Sequence, residues 1–247
     1  MTAPSNPLRR PMDMGQMIDT AIRLYRMNFG EFLAIASVAL PVNAAGAIIA
    51  GLIEDKVVAA VVGGALAVPG VFIALIAQAA IARAVADVDD GAAPDFESVY
   101  RRVLPRVGTL LLTLLRIIVI ALALGITIVG IPFAIYLVIR WAFFTQAIVI
   151  EGESSSGATS LSARIVQGHW WRTLGILFIV GLLAGLPAAA VTLLFSAAAP
   201  VAASLASAVV GAIVLPFSAG AETLLFFDLQ ARDRQRMGIV DEELTTH

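Results

Sequence analysis

The sequence predicts an all-α integral membrane bundle of six transmembrane helices, and three observations carry that prediction. Of the 247 residues, 60% are hydrophobic and only 14% are charged, whereas a water-soluble domain carries about 25% charged residues. Six apolar segments are long enough to cross a bilayer core of about 30 Å at 1.5 Å per residue. Nearly all basic residues lie outside these segments, on one side of the predicted topology.

The six segments pair into three helical hairpins, because very short links join the first to the second, the third to the fourth and the fifth to the sixth. They cover residues 30–53, 57–86, 108–129, 131–150, 174–197 and 201–228. The sequence thus predicts a membrane domain over residues 13–229. An N-terminal arm, residues 1–12, precedes it, and a C-terminal tail, residues 230–247, follows it.

The distribution of basic residues predicts the orientation. Thirteen arginines lie on the side of the two termini and the two long loops, against Lys56 alone on the side of the hairpin turns. The positive-inside rule therefore places both termini in the cytoplasm. No apolar segment follows the basic arm before about residue 30, so we interpret it as an uncleaved cytoplasmic arm and not as a signal peptide.

A short polar and apolar stretch precedes the first, third and fifth segments, as in "DFESVYRRVLPRVG". In that stretch apolar residues recur at helical spacing, which predicts an amphipathic helix, with Asp95 as its N-cap. Prolines recur at matching places, namely Pro69, Pro132 and Pro216 in the even-numbered segments and Pro41 and Pro187 in the first and fifth. We interpret the chain as three parallel copies of one unit, a cytoplasmic interfacial amphipathic helix followed by a hairpin.

Three charged residues lie well inside the apolar segments, away from the segment ends: Arg116, Arg140 and Glu222. An unpaired charge at the centre of a membrane helix costs about 2.5–3.5 kcal/mol. One interpretation is a structural ion pair with a second arginine reaching the lipid phosphates. Another is an inward-facing polar pocket for an anionic headgroup or substrate, and a third is a proton or ion pathway. We expect Arg140 and Glu222 to face the bundle interior and approach each other.

Four consecutive residues, His169, Trp170, Trp171 and Arg172, immediately precede the fifth segment. Aromatic rings beside a basic residue are typical of the membrane–water interface, so we predict that these residues anchor the helix there. Within the segment, Gly181 and Gly185 form a pair of small residues that permits close approach of another helix.

No part of the sequence reads as an active site, a cofactor site or a metal site. The chain has no cysteine and two histidines, and the acidic stretch Asp87–Gly91 lacks the ligand spacing of a calcium loop. We expect that stretch to be a solvated loop, and Glu151 and Glu153 to be solvated carboxylates. The arginines are too dispersed for a nucleic-acid surface, and lipid phosphates are the nearer anions.

Three stretches suggest a family: "MGQMIDTAIRLYRMNFGEFLAI", "RWAFFTQAIVIEGESSSGATSLSARIVQGHWWRTLGI" and "LLFFDLQARDRQ". Together they resemble the glycerophosphoryl diester phosphodiesterase membrane-domain family, over residues 13–236. That resemblance implies a six-span protein of a prokaryotic plasma (inner) membrane. It does not imply phosphodiesterase activity, because fewer than twenty residues follow Gln230 and the catalytic domain of the family has no room there.

The sequence leaves three functions open. The first is a non-enzymatic membrane protein that binds or organises lipid, with anionic headgroups of the cytoplasmic leaflet as partners. The second is a transporter or channel with an inward-facing polar pocket around Arg116, Arg140 and Glu222. The third is a lipid-modifying enzyme, which would need convergent catalytic side chains that the sequence does not reveal.

Overall fold

Eleven α-helices and no strand form the part of the chain described by the computed structural model, residues 8–53, 55–195 and 200–238. The helices are α1 (Met14–Met27), α2 (Phe29–Ser37), α3 (Leu40–Gly51), α4 (Lys56–Asp89), α5 (Phe96–Val103), α6 (Val107–Gly125), α7 (Gly130–Arg140), α8 (Phe144–Val149), α9 (Ser155–Val166), α10 (Trp170–Phe195) and α11 (Pro200–Arg236). A short 3-10 helix, Leu104–Arg106, joins α5 to α6.

Five stretches of helix are long and apolar enough to cross a membrane, and a sixth results if α2 and α3 count as one bent span. The all-helical class is therefore confirmed for the described residues, with five to six apolar stretches long enough to span a membrane. Helix α11 is the central element, since α1, α2, α3, α4, α9 and α10 all pack against it.

The two longest helices, α4 and α11, have 34 and 37 residues. At 1.5 Å per residue they are about 51 and 55 Å long, which is well beyond the bilayer core of about 30 Å. Their C-terminal ends carry four buried carboxylates, Asp87, Asp89, Asp228 and Asp233. We call this end of the bundle, defined by those four residues, the polar end. Helix α11 continues to Arg236, so residues 230–236 extend the bundle and are not a separate tail.

The first apolar segment is bent by 42° between α2 and the beginning of α3. The predicted mid-helix proline, Pro41, thus lies in the first turn of α3, where its missing N–H costs no helical hydrogen bond. In contrast, Pro69, Pro187 and Pro216 lie inside continuous helices.

The fourth apolar segment, residues 131–150, is not one regular helix. Helix α7 ends at Arg140, and a turn over residues 141–143 separates it from α8. Every residue of α8 is buried, since α8 packs against α4 and α9 near the polar end. The second half of this apolar run therefore contacts protein, although the run as a whole is long and apolar enough to cross a membrane, as predicted.

Helix α1 runs alongside α11, whereas we expected an interfacial helix in the membrane plane. The Met12 N–H donates to Asp228 at 2.7 Å, and the Tyr25 hydroxyl donates to the Ile213 carbonyl at 2.8 Å. These two acceptors are about 22 Å apart along α11. Burial raises the pKa of Tyr25 above its ordinary 10.0, so this phenol stays a donor at neutral pH.

The apolar face of α1 supplies the reason for that packing. Met17, Thr20, Ala21 and Leu24 recur at i, i+3, i+4 and i+7 and are all buried. Packing this face on the neighbouring helices removes it from solvent as effectively as lipid would.

The three helices that precede the hairpins begin with similar caps. The side chains of Asp13, Asp95 and Ser154 each accept a hydrogen bond from the backbone N–H three residues later, which satisfies one of the free donors of a helix start. The predicted cap at Asp95 is confirmed. In the fifth segment, Gly181 and Gly185 have open space beside them, so no helix of the described residues packs against that pair.

A substitution at Gly130 tests the turn between α6 and α7. A methyl group at this position would overlap the backbone oxygen of Leu124, whereas Gly125 in the same hairpin has open space. We expect Gly130→Ala to destabilise the protein by about 1–3 kcal/mol through this overlap. Gly125→Ala should leave stability unchanged or slightly raised, because alanine favours a helix by up to about 1 kcal/mol. Thermal unfolding of both variants in detergent measures the difference, and equal midpoints would contradict the turn geometry.

Candidate functional site

A buried carboxylate, Asp228, joins three parts of the chain at the polar end. Its side chain is fully buried and accepts hydrogen bonds from the Met12 backbone N–H, from Arg172 at 3.2 Å and from Arg232 at 2.9 Å. Both arginines also donate to the Met12 carbonyl. The N-terminal arm, the beginning of α10 and the end of α11 therefore meet at one charge.

Asp89 holds the arm at a second point. It accepts from the Leu8 N–H at 2.8 Å and from Arg9 Nε at 3.1 Å. The Arg9 guanidinium lies 4.8 Å from the centre of the Phe227 ring and 3.5 Å from Glu151. Leu8 and Met12 are buried as a result, so this part of the predicted free arm is packed into the bundle.

The other two buried carboxylates at the polar end are likewise paired with arginines. Asp87 accepts from Arg83 and Arg102, both at 2.7 Å. Asp233 accepts from Arg236 at 2.8 Å and lies 3.2 Å from Arg164 of α9. The expectation of a solvated loop at Asp87–Gly91 is therefore wrong, because Asp87 and Asp89 are buried near the end of α4. The chain leaves α4 at Gly91, whose φ of +78° is readily adopted by glycine.

Arg116, the charged residue of the third apolar segment, binds neutral oxygen atoms. Its Nη2 donates to the Thr159 hydroxyl at 2.6 Å and to the Ser155 carbonyl at 3.3 Å. Both acceptors belong to α9. Arg116 thus lies level with α9, and its guanidinium has no carboxylate within 4.0 Å in the described part of the chain.

Arg140 also lies level with α9. Its backbone carbonyl accepts from Ser162 at 2.9 Å, and its guanidinium contacts the hydroxyl and ring face of Tyr136, at 3.3 and 5.9 Å. As the last residue of α7, it brings a positive charge to the helix C-terminus, which the helix dipole favours. Within the described ranges, no carboxylate lies within 4.0 Å of this guanidinium.

A small cleft of about 100 Å³ opens beside Arg140. The residues lining it come from α7, from α9 and from the turn that leads into α10: Tyr136, Arg140, Ala163, Val166, Gln167, Gly168 and Trp170. One wall is aromatic, since the Tyr136 and Trp170 rings stack at 5.9 Å and the indole N–H of Trp170 donates to the Tyr136 carbonyl.

Glu222 does not approach either arginine. Its Oε2 accepts from Gln78 Nε2 at 2.6 Å, which links α11 to α4. The predicted pair of Arg140 with Glu222 is therefore wrong for this structure, because Glu222 bonds to Gln78 of α4 and the Arg140 guanidinium contacts Tyr136 of its own helix. The structure places both arginines beside α9 and leaves Glu222 in a separate contact.

The four predicted interface residues have different environments. Arg172 is part of the Asp228 cluster and not a lipid anchor. Trp170 stacks on Tyr136, whereas Trp171 is 78% exposed, as an anchor would be. The buried Nδ1 of His169 has no hydrogen-bond partner in the described residues.

A family model described as "Domain of unknown function (DUF7847)" matches residues 98–229. That match covers 132 residues, more than half of the chain. The chain belongs to this family. The DUF7847 match includes Asp228 and both arginines of the apolar segments, but begins after the arm and after Asp89. No match was found among curated proteins, and none among solved structures.

The charged side chains of this region fall into two groups. The four buried carboxylates have their charges balanced by arginines, and the described residues contain no group of three or more ligands that could hold a metal ion. The accessible charge near the apolar surface is the positive charge of Arg116 and Arg140. These two arginines were predicted as site residues from the sequence, because they are charged residues within apolar segments. The Asp228 cluster was not predicted, although an aspartate directly after "LLFF" was the available signal.

Substitution of Asp228 tests whether the arm is held by this charge. Loss of one partner of a buried ion pair costs about 3–5 kcal/mol, so Asp228→Asn should lower the thermal midpoint strongly and expose the arm to protease. Asp90→Asn is a suitable control, because Asp90 is half exposed and lies 3.8 Å from Arg83. Similar midpoints for the two variants would contradict the assigned role of Asp228.

Proposed function

We propose that the protein is a non-enzymatic, multi-pass protein of a prokaryotic plasma membrane that interacts with anionic lipid headgroups at the cytoplasmic leaflet. The observation that carries this proposal is the pair Arg116 and Arg140. Both lie within apolar segments, and among the described residues neither has a carboxylate within 4.0 Å. A phosphate group from the surrounding lipid would supply the missing negative charge.

The energetics favour such a phosphate. A charged side chain within the bilayer costs several kcal/mol unless it is paired or reaches the interface. Each basic residue near an anionic leaflet contributes about 1 kcal/mol of attraction. Arg116 bonds to α9 through its guanidinium, and the Arg140 carbonyl accepts from Ser162 of α9. A single layer of headgroups beside α9 would therefore reach both side chains.

The proposed orientation places the polar end in the cytoplasm. Support comes from the arginine distribution in the sequence, since Lys56 is the one basic residue on the side of the predicted hairpin turns. The exposed side of α1 adds Arg23 and Arg26 beside an open cleft. In this orientation the basic residues face the leaflet that is rich in anionic lipid.

The three-unit organisation belongs to the same proposal. Matching caps at Asp13, Asp95 and Ser154 support three related units, each with a helix before a hairpin. The units have diverged in packing, because α1 runs along α11 whereas α9 contacts the ends of α6, α7 and α8. The resemblance to the glycerophosphoryl diester phosphodiesterase membrane-domain family stays a prediction.

The transporter alternative has less support. It needs one pocket around Arg116, Arg140 and Glu222, whereas Glu222 bonds to Gln78 on α4 and both arginines contact α9 or α7. A cavity of about 260 Å³ lies beside the bend of the first segment, but Asn43 and Ser207 are the polar residues among its mostly apolar lining.

Lipid selectivity tests the proposal. We expect purified wild-type protein to bind phosphatidylglycerol in preference to phosphatidylcholine, measured by native mass spectrometry after titration with each lipid. In the double variant Arg116→Gln/Arg140→Gln, the preference should fall about 30-fold, because two basic residues together contribute about 2 kcal/mol.

The matched control removes the same charge elsewhere. Arg101 and Arg234 are exposed and lie outside the apolar segments, so Arg101→Gln/Arg234→Gln should keep most of the selectivity. Equal binding of the two lipids by the wild-type protein would refute the proposed function. An equal loss in both double variants would instead assign the preference to total charge.

A further inference from the structure

On the side away from the polar end, the hairpin of α6 and α7 extends less far than the neighbouring helix α10. Trp170, the first residue of α10, bonds to the Tyr136 carbonyl at 3.2 Å and so fixes α7 against α10. From Trp170, α10 continues to Phe195, about 37 Å further. From Tyr136, α7 continues only to Gly130, about 9 Å further.

A second contact independently limits how far the tip of this hairpin extends. Arg116 is bonded to Thr159 of α9, and α6 continues beyond it only to Gly125, about 14 Å further. The four residues of the turn, 126–129, add at most about 7 Å, since a chain that goes out and returns uses its length twice. The tip of the hairpin therefore cannot reach the level of Phe195.

A different position of the bilayer, with this tip at the membrane surface away from the polar end, is unfavourable. In that position, roughly the last 20 Å of α10 would lie in water. That part exposes large apolar side chains, including Leu186, Leu193, Leu194 and Phe195. Their transfer from lipid to water would be unfavourable, at about 25 cal/mol for each Å² of apolar surface.

The tip itself is built for apolar surroundings. Residues 117–139 contain no charged residue, and Ile126 and Ile128 are 85% and 88% exposed. Within the turn, Thr127 accepts from the Gly130 N–H and donates to the Leu124 carbonyl. The backbone N–H of Thr127 also donates to that carbonyl. Pro132, in the first turn of α7, has no N–H to satisfy.

Satisfying these backbone groups matters because an unpaired N–H or C=O in hydrocarbon costs several kcal/mol. The sequence between α3 and α4 shows the contrast, since Glu54 and Asp55 lie there and Lys56 begins α4. A turn that ends in water can carry such charges, whereas the tip between α6 and α7 carries none.

We propose that α6 and α7 form a re-entrant hairpin, which enters the bilayer from the polar end and turns back near the midplane, so that its apolar surface fits the acyl chains of one leaflet. In this arrangement four elements cross the membrane: the bent pair of α2 and α3, and helices α4, α10 and α11. Arg116 and Arg140 lie about 15 Å from the tip, which is half of the bilayer core. This places both arginines at the headgroups, whether or not they select anionic lipid.

Single cysteines test this topology, because the natural chain has none. The full-length variants are Ile128→Cys at the tip, Asp55→Cys at the turn between α3 and α4, and Glu153→Cys near the polar end. Each is treated with a membrane-impermeant maleimide in sealed vesicles of both orientations, and again after solubilisation. A nitroxide attached at residue 128 reports its relative exposure to oxygen and to a water-soluble nickel chelate.

We expect the cysteine at 153 to react from one side, the cysteine at 55 from the other, and the cysteine at 128 from neither side until solubilisation. The nitroxide at 128 should collide with oxygen and be shielded from nickel. Labelling of position 128 from the same side as position 55 would show a complete span. Labelling from the side of position 153, or exposure to nickel, would place the tip in water, and either result overturns the proposal.

Discussion

The fold depends on the balance of charge around Asp228. A fully buried carboxylate is stable only when charged partners and hydrogen bonds replace its water, and here the arm, α10 and α11 each supply a donor. Asp89 repeats the arrangement with Leu8 and Arg9. Because each carboxylate accepts from the arm, the ends of α4 and α11 are joined through residues 8–12 and not only through direct helix contacts. A short segment at the start of the chain thus ties the polar ends of the two longest helices.

Under the proposed function, this arrangement leaves the arginines of the apolar segments free to meet lipid. The carboxylates of the polar end are already paired, so Arg116 and Arg140 find neutral oxygen atoms instead. Both lie at the edge of the bundle beside α9, where the protein does not enclose them. The same geometry limits how far α6 and α7 can extend. An accessible positive charge and a short apolar hairpin are therefore two consequences of one packing arrangement.

Much of the fold could be predicted from residue types, and the failures have physical causes. Helix class, the hairpin pairing and the Asp95 cap follow from apolar length, short links and capping chemistry, which are local properties. The run from Ile131 to Ile150 is long and apolar enough for the predicted span. The burial of its second half, α8, could not be predicted, because lipid and a protein core select the same apolar residues. Nor could Glu222 be assigned to Gln78 from the sequence, since that contact depends on the register of α4 against α11. The roles of Arg172 and Asp228 needed the position of the arm, which no local pattern encodes.

Hydrogen exchange of the arm measures the central claim most directly. The Leu8 and Met12 amides donate to the buried Asp89 and Asp228 carboxylates, so in detergent-solubilised protein both should exchange as slowly as amides in the middle of α11. Their protection should disappear together when Asp228 is replaced by Asn, because one cluster holds the segment. Exchange of both amides at the rate of an unstructured peptide in the wild-type protein would contradict the account. The buried carboxylates would then not be holding the arm.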